Sequence, residues 1–338
     1  MKRFFRSLMT TLVAVVVFSG FQSVSAQTIR INVATVAPEK SPYGDVMRKM
    51  GAEWSRISGG KVEMKMFFGD KLGDEEAIVQ KIRSNSLNGA MLTLAGLAYI
   101  DPPLLTISAP LLVDSDEKMK FVLDQLIPEI NDRLAKKGFA GIVYSRAGWV
   151  QFFAKQPFHT PAELKKMKLG ISNKSKEIYA AFQSMNYQVV NVDIAETLAN
   201  LLTGRAEALF TSPLVAGSYN WVGSARYMLD IKISPFFGGF IINEKTWSRI
   251  PADLQKQLIE SAQKLATVEL DESLAKLEAA AIKQMTEFKG GLVIVKSTPE
   301  EKALWKKELE GGLSLTLGTA FDKDMYQKVQ KILTQFKK

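Results

Sequence analysis

Ser58-Gly59-Gly60-Lys61 sets a hydroxyl three residues before an amine, the Ser-x-x-Lys spacing found where a serine acts as nucleophile. Such sites also need Ser-Asp-Asn and Lys-Thr-Gly elements, and neither occurs in the chain. The two glycines read instead as the end of a helix. Asp74, Glu75 and Glu76 put three carboxylates in a row, but they open a helical pattern, where the helix dipole accounts for negative charge. His159 is the single histidine, inside Pro157-Phe158-His159-Thr160-Pro161, so a histidine cluster is excluded and a turn is the simpler assignment. With no cysteine, thiolate nucleophiles, cysteine zinc sites and disulfides are excluded as well. No phosphate loop, nucleophile elbow or dinucleotide fingerprint occurs. These residues predict a binding protein, not an enzyme, with no metal and no cofactor.

The elements that must position a binding site alternate along the chain. Residues 28 to 38 are β-branched and alternating, which predicts a strand. Ser41-Pro42 caps and opens a helix that runs to Gly59-Gly60. Lys61 to Phe68 reads as a strand, Asp74 starts a second helix, and Asn88-Gly89 turns into the apolar segment Ala90 to Leu94. Further on, Asp114 to Lys137 predicts a long helix, and Ala140 to Tyr144 and Val150 to Ala154 two separate strands. Pro161 to Lys166 is a short helix, Lys168 to Ser172 a strand, Ser175 to Met185 a helix and Gln188 to Val192 a strand. Asp193-Ile194-Ala195-Glu196 is a capping-box start for a helix ending at Gly204. Strand–helix alternation of this kind defines the α/β class. From Pro251 to about Phe288 nothing interrupts a helical pattern. A straight helix of that length reaches on the order of 55 Å, so it must brace two lobes or project as a dimer seam.

Lys2, Arg3 and Arg6, an apolar run from Leu12 to Phe18, and Ser23-Val24-Ser25-Ala26 form a secretory signal peptide over residues 1–26, cut before Gln27. Gln27 in place of cysteine predicts no lipid tether and a freely diffusing protein in the periplasm. The leader carries three of the formal +9 charges. The other cations are interleaved with acids, as from Lys302 to Glu310, the pattern of solvated helix faces with no nucleic-acid partner.

Six segments, in order, resemble the DctP-type solute-binding subunits of TRAP transporters. They are Ala34 to Glu39 with Ser41-Pro42; Gly69 to Glu75; Thr160-Pro161-Ala162-Glu163-Leu164-Lys165-Lys166-Met167-Lys168-Leu169; Leu202 to Ala208; Ile242 to Trp247; and Ile250 to Gln255. The resemblance implies a two-lobed periplasmic-binding-protein fold with strands crossing between the lobes and a long bracing helix. Lobe 1 would hold residues 27–148 and about 235–265; lobe 2, about 149–234 and 266–338 with the C-terminal helices. It implies a small-molecule ligand, usually an organic acid, handed to the membrane permease subunits, and in some systems a periplasmic tetratricopeptide-repeat partner.

In the family pattern an arginine clamps the ligand carboxylate, a task suited to its two parallel donors. Here that position is Gly170, an occasional second arginine position is Val150, and the family's Asn-Pro reads Ser212-Pro213. Aromatics gather nearby, and Trp149, Phe153, Phe210, Phe236 and Tyr219 are candidate ligand contacts, with Leu94 at the end of the first lobe's apolar strand. A carboxylate buried without a charged partner costs several kcal/mol. The expected ligand is therefore hydrophobic or amphipathic. The alternatives are a conventional C4-dicarboxylate-like acid held by Arg146 or another displaced cation, and a non-transport adaptor using the same fold.

Overall fold

A computed structural model describes residues 28–171, 176–271 and 273–337; the predicted signal peptide lies outside the described residues. The chain begins β1 (Ile29–Thr35), α1 (Pro42–Ile57), β2 (Val62–Phe68), α2 (Glu75–Arg83), β3 (Gly89–Thr93), α3 (Leu94–Ala98) and α4 (Asp116–Ala135). Local chemistry sets several of these boundaries. Ser41 Oγ accepts from Gly44 N at 3.2 Å with Pro42 in the first turn of α1, and Asp74 Oδ1 accepts from Ala77 N at 2.8 Å at the start of α2.

β4 (Phe139–Ala154) then leads to α5 (Pro161–Leu164), β5 (Lys168–Ile171), α6 (Lys176–Ser184), β6 (Gln188–Asn191), α7 (Thr197–Leu202), β7 (Ala208–Thr211) and α8 (Pro213–Ser218). The Asp193 segment forms a 3₁₀ turn, and α7 begins only at Thr197. After β8 (Tyr227–Leu229) and β9 (Ser234–Asn243) come α9 (Glu244–Trp247), α10 (Ala252–Ala266), α11 (Leu274–Glu287), β10 (Val293–Val295), α12 (Pro299–Thr316) and α13 (Lys323–Leu333).

The strands run in the order β2-β1-β3-β9-β4-β7-β5-β6, with β8 bridging β4 and β10. β1 is parallel to β2 and β3, and β5 is parallel to β6 and β7, so each lobe has its own parallel set. β4 and β9 run antiparallel and join the two sets. The two strands expected between Ala140 and Ala154 are thus one. Ser145 and Arg146 pair with β9, and a register shift between Arg146 and Trp149, with Gly148 at φ +90°, carries the same strand on to Trp149 and Val150.

Alternating side chains of each sheet feed two cores. In lobe 1, Ile31 and Val33 pack with Trp54 and Leu258 under α1 and α10, while Ala34, Ala90 and Leu92 pack with α4 and α13 on the other face. In lobe 2, Phe152 joins Phe182, Trp305 and Leu309, and Phe153 joins Trp221 and Met285. The long helix expected from Pro251 is broken. α10 packs on lobe 1 and α11 on lobe 2, and a π-helical turn, Thr267–Asp271, separates them. A π turn adds a residue to the helical repeat, and here its last residue, Asp271, reaches Ser145 and Arg146. The brace spans both lobes, but in two pieces. No helix among the described residues is long and apolar enough to cross a membrane.

Candidate functional site

The two lobes enclose a cavity of about 450 Å³, within the range of small-molecule sites. Its walls are the carboxyl ends of β1, β3, β5 and β7 and the two crossing strands, the crevice where open α/β sheets hold ligands. Leu94, Val150, Gly170, Phe210, Ser212, Tyr219 and Phe236, all singled out from the sequence, line it.

Trp149, Phe153 and Arg146 do not. With Val150 turned to the cavity, strand alternation carries Trp149 into the lobe 1 core, where its Nε1 donates to Asp116 Oδ1 at 3.2 Å and Lys232 stands over its ring. Phe153 is buried in the core beneath α8 and α11. Arg146 is built into the crossing point. Its guanidinium donates to Asp116 O at 3.1 Å and Asp271 O at 3.3 Å, and lies 3.7 Å from carboxylate oxygens of both residues. Two carboxylates thus balance its charge at the crossing point, outside the cavity wall, although its Nε has no hydrogen-bond partner.

Among the described residues the cavity wall contains no Lys, Arg or His, and its one carboxylate is Glu75. The sequence accounts for Glu75 through the dipole of α2, yet Asp74 caps that helix and Glu75 turns inward. Glu75 Oε1 accepts from Thr93 N at 2.5 Å and Oε2 accepts from Thr93 Oγ1 at 2.6 Å. Gly96 leaves room for it, because a Cβ at that position would overlap the carboxyl group. Burial pushes the Glu75 pKa up, and the bonds from Thr93 and Gly96 hold it down in part. Eighteen residues separate Glu75 from Thr93, so no local motif announces the pair.

The other polar groups of the wall are largely committed to the protein. Ser212 Oγ accepts from Val215 N at 3.3 Å as the cap of α8, Thr316 Oγ1 donates to Gly312 O at 2.8 Å, and Thr197 Oγ1 donates to Asp193 O at 3.0 Å. Tyr43 is an exception: its hydroxyl is buried with no hydrogen-bond partner, and burial with nearby Glu278 and Asp271 holds its pKa far above the usual phenol value. Met47, Met50 and Met91 add polarizable apolar surface that the sequence did not flag. At Gly170 a Cβ would already stand 3.3 Å from Ala206, Leu209 and Val192. Tyr219, on lobe 2, donates through its hydroxyl to Val36 O on lobe 1 at 2.5 Å and stacks on Trp221, tying the cavity's two walls together. Among the described residues no cluster of acids and histidine could hold a metal ion.

The family model for bacterial extracellular solute-binding protein, family 7 (DctP), matches residues 33–313. The chain belongs to this family. The resemblance built on six segments therefore holds across most of the chain. Among curated relatives, the 2,3-diketo-L-gulonate-binding periplasmic protein YiaO of Escherichia coli K12 is 23% identical over 251 residues, covering 71% of this chain and 73% of the relative. The C4-dicarboxylate-binding periplasmic protein DctP of Vibrio cholerae is 20% identical over 275 residues, covering 80% and 81%. A TRAP periplasmic solute-binding protein from Ralstonia eutropha H16, solved with bound (S)-2-acetolactate, shares the fold with TM-score 0.82 and 16% identity, covering 91% of this chain and all of that one. As a DctP-family member, this chain has an ordinary fold and a cavity wall without a cation among its described residues.

Proposed function

We propose that this chain is the periplasmic receptor of a TRAP-type transporter, exported by a cleaved signal peptide, and that it carries a predominantly apolar or amphipathic small molecule to the membrane permease without chemically altering it. The observation that carries this reading is the absence of Lys, Arg and His from the described cavity wall, together with the presence of Glu75. A dissociated acid in that space would lose its hydration with no guanidinium in return, and would meet a second carboxyl group. The named ligands of the relatives above are acids, so the proposal is a change of ligand class within a shared fold.

Native mass spectrometry of freshly purified protein should reveal a co-purified apolar molecule. A thermal-shift screen should then show stabilisation by medium-chain fatty acids, alcohols or aromatic compounds, since a ligand at 100 times its Kd adds about 2.7 kcal/mol. Stabilisation by short dicarboxylates alone would overturn the reading in favour of a conventional organic acid. A chain that responds to nothing in the screen and carries no bound molecule would point to an adaptor role.

A further inference from the structure

We propose that the seam between α6 and α12, continuous with the cavity, is the site for the tail of an elongated ligand, a linear aliphatic chain whose polar end stays in the crevice. This rests on the reading that the cavity takes an apolar molecule, and adds where and how the chain is held.

The two helices face the cavity with matching stripes. From α6 and the residue just beyond it come Ile178, Ala181, Phe182 and Met185, and from α12 come Leu309, Gly312, Leu313 and Thr316. Both sets follow the i, i+3, i+4, i+7 spacing of a single helix face. Seven residues of rise make each stripe about 10 Å long, the length over which an aliphatic chain lying along them would be held. Neither stripe has a titratable side chain, and the Thr316 hydroxyl is bonded to Gly312 O at 2.8 Å. Among the described residues of the two stripes, the Thr316 oxygen is the one side-chain group left to accept a hydrogen bond from a polar chain.

Phe182 and Leu309 sink into the core, whereas Ile178, Met185 and Leu313 stay half-buried at the rim of the seam. Gly312 is the narrow point. A Cβ there would overlap Met185 Sδ, so the thioether occupies the notch that the glycine leaves. Methionine is unbranched and adaptable; a rotamer change at Met185 opens the notch to a chain and closes it again. Ile178 and Leu313 also pack against the lobe 1 cluster that contains Leu105 and Phe321, so an inserted tail would touch both lobes and favour the closed form.

The test uses the full mature chain and two homologous series, saturated fatty acids and the matching primary alcohols, titrated calorimetrically. Affinity should rise by about fourfold per added methylene until the arm is filled. Gly312→Leu should fill the notch and weaken the longest chains at least tenfold while short probes bind as before. Because Gly312→Leu also crowds Met185, Met185→Ala serves as the second variant, and it should move the affinity optimum to longer chains. If apolar probes bind but affinity is flat with length and neither variant changes it, the tail site is wrong and the apolar cavity stands. If no aliphatic or aromatic probe binds and short dicarboxylates do, both the tail site and the ligand class are overturned.

Discussion

Charge is distributed oppositely in the two regions that β4 connects. At the crossing point Arg146, Asp116, Asp271, Lys232 and Glu278 crowd around the bulge at Gly148. One short step along the strand, Val150 faces a cavity whose described wall has only Glu75. The same strand thus carries an ion network where the lobes join and an apolar surface that lines the cavity. An arginine near a cleft does not by itself make an anion site, because its neighbours decide where its charge is spent.

The largest expected effect comes from breaking the ionic side. Arg146→Ala leaves Asp271 partly buried without its partner and should cost about 3 kcal/mol of stability, measured by urea denaturation, with the ligand preference unchanged. A variant that keeps its stability but loses its ligand would return Arg146 to the role of ligand cation. The apolar side is sharpened by Glu75→Gln, which removes the only described charge from the wall. Binding of dissociated acids should improve by about tenfold, roughly 1.4 kcal/mol, while alcohols bind as before.

The same substitution has a pH signature. Burial raises the Glu75, Asp271 and Glu278 pKa values in the folded protein. A carboxyl that keeps its proton to higher pH when folded stabilises the protein below its unfolded pKa, and that stabilisation is lost as pH rises through the folded value. Melting temperature should therefore fall as pH rises above the usual glutamate value of 4.5, and Glu75→Gln should make the fall shallower; an unchanged slope would remove Glu75 from this account. The smallest effect belongs to Tyr219→Phe. Loss of its bond to Val36 should cost about 1 kcal/mol of closed-state stability, seen as a severalfold faster ligand release in stopped flow.

Much of lobe 1 was legible because Ser41-Pro42 and Asp74 mark helix starts chemically and β1 alternates cleanly. β9 was not assigned from its residues, and it contains Pro235, Gly238 and Gly239, types that local rules place outside strands. Those glycines are there because a Cβ at Gly238 would overlap Leu92 O and one at Gly239 would crowd the Tyr144 ring, so close strand approach looks like disorder to a local rule. The break at Thr267–Asp271 was hidden for the opposite reason: a π turn keeps helical composition. At the site, positions aligned to family ligand contacts reached the cavity, as Val150, Gly170 and Ser212 did. Aromatic type alone did not discriminate, since Phe210 lines the cavity and Phe153 lies in the core behind it. Glu75 escaped because its partner Thr93 is distant in sequence.

We propose a cavity built for apolar surface and not for a clamped carboxylate. Calorimetric titration of the mature protein with succinate and with a medium-chain alcohol, each at several temperatures and two salt concentrations, tests it most directly. The expected result is tight alcohol binding with a negative heat-capacity change and little salt dependence, and no heat from succinate. Tight, salt-sensitive succinate binding with no alcohol binding would contradict it.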